Sequence, residues 1–130
     1  MSEAMRRSYR EKILPFVQGP GQYIGREHNS ITKDHATVAA TVALAFPDAY
    51  TIGMSHLGMQ IFYHLLNRRT DVAAERVFCP WQDMEALLKK ENLPLGTLET
   101  FTPVREFDLV CLSLQYELCA TNVLTLLDRA

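Results

Sequence analysis

The chain has 130 residues, of which 48% are apolar and 22% charged, and a net charge of −2. This composition predicts one globular domain and disfavours a dedicated nucleic-acid binder, which usually carries a basic excess. No apolar run reaches the roughly 18 to 20 residues that span a bilayer. The charged N-terminal sequence lacks the apolar centre of a signal peptide, so we expect a cytoplasmic protein that does not contact membranes.

The first part of the chain predicts a helix followed by a loop. Residues 4–17 place Tyr9, Ile13 and Leu14 on one side of a helix that Pro15 ends or kinks. The following stretch is rich in glycine, proline, asparagine and serine, as loops are. We therefore assign residues 1–37 to an N-terminal extension and residues 38–130 to an α/β domain.

The remaining chain alternates between strand and helix patterns. Apolar runs predict buried strands at residues 38–46, 75–79 and 109–114, helical periodicity predicts helices at 55–67, 83–91 and 117–129, and residues 97–101 suit a short extended segment. Ser55 is the predicted N-cap of the first of these helices. Two sets of apolar residues are predicted to face the core: Leu57, Ile61, Phe62, Leu65 and Leu66 in the first helix, and Leu118, Val123, Leu124 and Leu127 in the last.

Three consecutive β-α units predict an α/β fold with a mostly parallel sheet, right-handed crossovers and helices on both faces. This is the three-layer, Rossmann-like arrangement, of which flavodoxin is an example. Three strands are fewer than the usual five or six, and the chain ends where a fourth is expected. We therefore expect a truncated domain whose open sheet edge pairs with a second copy or with more of its own polypeptide.

Ligands of open α/β sheets bind beyond the carboxyl ends of the strands, which directs attention to polar and glycine residues there. The predicted ligand-contacting residues are Asp48, Gly53, Ser55, His56, Gly58, Ser113, Gln115 and Tyr116. Each has a structural alternative that the sequence leaves open. Asp48 suits a turn after Pro47, the glycines suit tight packing, and the residues after the third strand suit capping and solvation of the last helix.

His56 is the residue that suggests a cofactor. A helix N-terminus favours neutral imidazole, which is the metal-ligating form, but a lone histidine at a helix start is also common on a protein surface. The sequence GMSHLG is not the dinucleotide-binding GxGxxG. The chain also lacks a Walker loop, an HExxH motif and a Ser-His-Asp signature, so no catalytic residue is predicted.

Four segments together carry a family resemblance: GQYIGREHNSITKD, FPDAYTIGMSHLGMQIFYHLLN, ERVFCPWQDMEALL and FDLVCLSLQYELCATNVLTLLD. They resemble the N-terminal region of radical S-adenosylmethionine (SAM) proteins that begin with a cobalamin-binding-like Rossmann domain. The resemblance implies an accessory domain that binds cobalamin or a substrate for a downstream catalytic domain of the same polypeptide. The alternative is a non-catalytic interaction domain that has lost its cofactor.

Two sequence motifs of the family can be compared with the residues of this chain. The family holds its [4Fe–4S] cluster on a CxxxCxxC motif, but Cys79, Cys111 and Cys119 form no such motif and are expected to be buried or partly buried thiols. The cluster, SAM and any enzymatic activity are thus expected in the downstream domain. The motif for histidine-ligated cobalamin, DxHxxG, aligns on His56 with Met54 and Met59 at its Asp and Gly positions. The Ser113-Leu114 pair resembles the family's second contact region.

Overall fold

A parallel three-stranded sheet forms the centre of the protein. The computed structural model describes residues 3–130. Strand β1 (Ala40–Phe46) pairs in parallel with both β2 (Val72–Phe78) and β3 (Leu109–Leu112), which gives the order β2-β1-β3. The predicted parallel, Rossmann-like α/β fold is therefore confirmed.

Helices cover both faces of this sheet. They are α1 (Glu3–Ser8), α2 (Tyr50–Gly53), α3 (Leu57–Asn67), α4 (Gln82–Lys90) and α5 (Ala120–Arg129). On one face, Tyr63 of α3 packs in a cluster with Val42 of β1. On the other, Leu88 of α4 and Leu126 of α5 pack in a cluster with Ala43. Neighbouring residues of β1 thus enter different cores, as the alternation of side chains along a strand requires.

The N-terminal segment joins the second of these cores. Helix α1 continues into a π-helical turn (Tyr9–Ile13) and a 3-10 turn (Leu14–Phe16), so the predicted helix is present with three successive geometries. The Tyr9 hydroxyl donates a hydrogen bond to the Pro94 carbonyl (2.8 Å) and accepts one from the Gly96 amide (2.9 Å). These bonds attach the segment to the chain that precedes β3. None of the helices within residues 3–130 is both long and apolar enough to cross a membrane.

The two edges of the sheet differ. Beside β2, the segment predicted to be extended at residues 97–101 forms a buried turn instead. The Leu98 amide donates to the Arg76 carbonyl (2.8 Å), and the Glu99 carboxylate accepts from the Arg76 amide (2.7 Å). The turn therefore satisfies backbone groups that an open edge would expose.

The opposite edge, formed by β3, is uncovered. All four β3 residues are exposed, so the prediction of a buried third strand is wrong. Cys111 is one of them, and its exposed thiol also departs from the expectation for the cysteines, whereas Cys79 and Cys119 are buried. These residues are exposed because β3 is an edge strand: within the described residues 3–130, only β1 pairs with it.

Helix α3 turns a different face to the sheet than its apolar residues predict. Leu66 is half-buried, but the other four predicted core residues are exposed: Leu57, Ile61, Phe62 and Leu65. Its buried residues are Met59, Tyr63 and Asn67. The Asn67 side chain exchanges two hydrogen bonds with the backbone of Ala74 in β2 (2.9 and 3.1 Å), and such bonds compensate the burial of a polar side chain.

Helix α5 repeats this departure. Of the core residues predicted for this last helix, Leu118, which lies in a 3-10 turn before α5 (Glu117–Cys119), Leu124 and Leu127 are exposed and Val123 is half-buried, whereas Leu126 is buried. Within residues 3–130 the sheet ends at β3, so no strand beyond β3 lies against the outer side of α5. Apolar surface is therefore left on both this helix and the sheet edge.

Candidate ligand site at the strand ends

The carboxyl ends of the three parallel strands lie together at one end of the sheet, as predicted. The Cys79 amide, after β2, donates to the carbonyls of Phe46 (3.2 Å) and Asp48 (3.0 Å), after β1. The Ser113 amide, after β3, donates to the Ala45 carbonyl (3.1 Å). Ligands of such folds bind beyond these strand ends.

Asp48 connects the loops that follow β1 and β3. Its Oδ1 accepts a hydrogen bond from the Ala49 amide (2.7 Å), which caps the turn, and its Oδ2 accepts one from the Tyr116 hydroxyl (3.3 Å). The Cys119 thiol lies 4.0 Å from the same Oδ2. The hydrogen bond with Cys119, followed by the charges of Cys119 and Asp48, raises the pKa of Tyr116 to about 12. Tyr116 is therefore a protonated donor at neutral pH.

A cleft of about 330 Å³ opens beside this pair of residues. Its lining includes Asp48, Cys79, Trp81 and Asn122. Asn122 donates a hydrogen bond to the Pro47 carbonyl (2.9 Å), which attaches the first turn of α5 to the end of β1. Burial raises the pKa of Cys79 to about 11, so this sulfur remains a protonated thiol at neutral pH and is a poor nucleophile.

Trp81 lines both this cleft and a second one of about 490 Å³. Trp81 is 53% exposed, and its ring offers a flat apolar surface to a ligand. The N-terminal loop forms a wall of the second cleft, where the Gln18 amide donates to Asp83 (2.7 Å). Tyr23 of this loop accepts a hydrogen bond from the Trp81 amide (3.3 Å). The site thus combines polar groups with an exposed aromatic side chain.

The remaining predicted residues are held by local contacts. His56, and not Ser55, caps α3: its Nδ1 accepts from the Met59 amide (3.2 Å), and its ring centroid lies 5.0 Å from that of Phe46. The Ser55 hydroxyl donates to the carbonyl of Thr51 (3.1 Å).

The two glycines next to His56 have steric roles. A Cβ at Gly53 would lie 2.3 Å from the ring of Phe78, and one at Gly58 would lie 2.9 Å from the His56 ring. Glycine at both positions is therefore explained by packing.

Among the predicted residues, hydrogen bonds join Asp48 to Tyr116 and Gln115 to Ser113 (2.7 Å). The pattern did not point to Cys119 or Asn122, which the fold adds to the same cluster. Their only sequence signal is position, at the start of the helix that follows β3. Within residues 3–130, no three His, Cys, Asp or Glu side chains are placed to share a metal ion.

Comparison with known proteins identifies one related family. The family model described as "Radical SAM proteins, N-terminal" matches residues 58–130, which is more than half of the chain and extends from α3 through α5. No curated protein and no solved structure matches the chain. The matched region contains β2, β3 and the loop that carries Tyr116.

Proposed function

The chain belongs to the N-terminal family of radical SAM proteins, and from this membership we propose that it is an accessory domain. It docks onto the catalytic part of its protein and holds a cofactor or substrate at the strand ends. The family's chemistry uses SAM and a [4Fe–4S] cluster, whose CxxxCxxC motif is not part of this sequence. The role of this chain is therefore binding and positioning.

The contrast between the two sheet edges carries the docking proposal. The β2 edge is closed by the 97–101 turn, whereas none of residues 3–130 pairs with the outer side of β3. The Ser113 amide bonds to β1, and successive residues of a strand direct their backbone groups to opposite sides. Val110 and Leu112 therefore direct N–H and C=O groups outward. Such an edge is a template for an added strand.

The side chains at this edge favour a protein partner. Val110 and Leu112 of β3, which pair with Ala43 and Ala45 on the face that α5 covers, are 38% and 39% exposed, and Leu124 and Leu127 of α5 are exposed as well. Exposed apolar surface of this kind is typical of interaction sites. The order β2-β1-β3 is the beginning of the flavodoxin-like order, in which the next parallel strand lies beside β3. We propose that a strand and helix of the same polypeptide occupy this edge.

Lysine at the outward-facing positions tests the docking. We expect this chain and the catalytic part of its protein, produced as separate polypeptides, to form a complex. The double substitution Val110→Lys/Leu112→Lys should raise the Kd of that complex at least about tenfold, since it places charge on an edge that must be desolvated. Calorimetric titration measures the change.

The matched control is Thr70→Lys/Ala86→Lys, which adds the same charge at exposed positions outside β3 and should leave the Kd within about twofold. Equal weakening by both pairs would contradict docking at β3. Sedimentation of the chain alone separates this partner from a second copy, because homodimerisation through β3 would produce a dimer that the Val110→Lys/Leu112→Lys variant loses.

The residues present do not fit a histidine-ligated cobalamin. A ligating histidine donates its other ring N–H to an acceptor, commonly a carboxylate. In this chain Nδ1 of His56 accepts a hydrogen bond from the Met59 amide, so the neutral ring carries its proton on Nε2. Met54 occupies the position of the orienting carboxylate. A cofactor or substrate in this domain is therefore bound without His56, in the cleft of Asp48 and Trp81.

Replacement of His56 distinguishes capping from ligation. We expect His56→Ala to lower the free energy of unfolding by about 1 kcal/mol, and His56→Asn, which retains a capping acceptor, to remain within a few tenths of a kcal/mol of the parent. Urea denaturation measures both. Any hydroxocobalamin retained through gel filtration should show the same visible spectrum with either variant. A spectrum that changes in His56→Asn would contradict this assignment.

A further inference from the structure

Three arginines line a cleft that is separate from the two clefts at the strand ends. The cleft has a volume of about 230 Å³ and is lined by Arg6, Arg10 and Arg26 together with Leu14, Ile24, Glu99 and Phe101. We propose that it binds an oxyanion, the phosphate of a small phosphate monoester. This site goes beyond the proposed function, because it shares no lining residue with the strand-end clefts.

The charge of the cleft favours an anion. Within residues 3–130, no carboxylate forms an ion pair with Arg10 or Arg26. Glu99 contributes the carboxylate in the lining, but its two oxygens accept hydrogen bonds from the amide and Nε of Arg76, both at 2.7 Å. This charge is therefore already compensated, and the positive charges of Arg10 and Arg26 remain in excess at the cleft. Guanidinium groups match phosphate oxygens in geometry as well as in charge.

Irregular backbone converges on the same cleft. Among residues 3–130, Arg26 and Phe101 are two of the three non-glycine residues with positive φ, at 68° and 62°. Arg10 belongs to the π-helical turn Tyr9–Ile13. This geometry is rare in proteins, and where it occurs it is often located at a functional site. A left-handed conformation is unfavourable for a residue with a Cβ, because the Cβ approaches the following carbonyl oxygen. Strain of this kind clusters at ligand sites, where it positions side chains.

The apolar part of the lining selects the ligand class. Leu14 and Ile24 present aliphatic surface, and the Arg6 guanidinium lies 5.4 Å from the centroid of the Phe101 ring. An organic group attached to the phosphate would contact these side chains. The small volume excludes an extended ligand, so a monoester of a compact alcohol fits better than a dinucleotide.

Calorimetric titration of the chain with inorganic phosphate and with phenyl phosphate tests the site. We expect saturable binding of both, with phenyl phosphate tighter by at least threefold. The variant Arg10→Gln/Arg26→Gln should weaken phenyl phosphate binding at least tenfold. The control Arg68→Gln/Arg105→Gln removes the same charge from exposed positions outside the cleft and should change binding less than twofold. Equal loss in both variants, or no saturable binding, would overturn the proposal.

A further substitution separates a binding role from a structural one. Arg26→Gly relieves the positive φ, so we expect it to raise the Tm while weakening phenyl phosphate binding. A lower Tm would show that Arg26 stabilises the fold and would contradict the proposal. Because this cleft is separate from β3, loss of phosphate binding would leave the docking proposal intact, and the converse also holds.

Discussion

Replacement of Glu99 by alanine is expected to lower the free energy of unfolding by about 3–5 kcal/mol, since it leaves a buried cation without its partner. The side chains of Arg76 and Glu99 are 3% and 0% exposed, and 2.7 Å separates Nε of Arg76 from Oε1 of Glu99. Burial raises the pKa of Glu99, and the charge and hydrogen bonds of Arg76 oppose that rise. The Arg76 guanidinium also stacks on Tyr63, 4.1 Å from the ring centroid.

This loss is a large fraction of the stability of a domain, whose free energy of unfolding is only about 5–15 kcal/mol in total. Urea denaturation measures it, with Glu106→Ala, at an exposed glutamate, as a control within about 0.5 kcal/mol. In the double variant Arg76→Met/Glu99→Leu, apolar groups replace both charges, and most of the stability should return. If the double variant were no more stable than Glu99→Ala, an unpaired Arg76 would not be the cause.

The substitution Gly25→Ala is expected to cost about 3 kcal/mol, from two causes that act together. Gly25 has φ +65°, a conformation that L side chains rarely adopt. A Cβ there would also lie 2.2 Å from the backbone carbonyl oxygen of Leu98, within the turn that closes the β2 edge. Relief of this contact requires the turn to move away from the Arg76 backbone.

Gly21→Ala is the matched control in the same loop. A Cβ at Gly21 meets no atom within 4 Å, and its φ does not require glycine. We expect it to be neutral or to stabilise by up to about 1 kcal/mol, since alanine restricts the unfolded chain. Thermal and urea unfolding of both variants measure the difference. Similar costs for Gly25→Ala and Gly21→Ala would show that the loop, rather than its contact with Leu98, governs stability.

Both predictions concern the 97–101 turn, which the sequence did not reveal. Its threonines and glutamate suit an extended segment by composition, but Thr97 and Thr100 donate hydrogen bonds to the buried carboxylate of Glu75. The same carboxylate is 2.7 Å from the His35 ring. A network of residues so far apart in the chain leaves no periodic signal, so only the folded protein shows it.

The site was predictable in location but not in detail. Strand-helix alternation placed Asp48 and Tyr116 beyond the carboxyl ends of the strands. In the structure the Tyr116 hydroxyl lies 3.3 Å from Oδ2 of Asp48. The sequence pattern did not distinguish a capping histidine from a ligating one, because both begin a helix. The hydrogen bond from the Met59 amide to His56 identifies the capping role. The contribution of Asn122 depends on how α5 packs against the end of β1.

The sequence alone determined the strand-helix alternation, the parallel sheet and the family resemblance, because these follow from local apolar runs, short connections and segments that are continuous in the chain. Only the tertiary structure decided which faces are buried. In α3, hydrogen bonds of Tyr63 and Asn67 direct a partly polar face toward the sheet and leave Phe62 exposed. An apolar side chain is buried only where a neighbouring layer exists, and periodicity cannot show where the sheet ends.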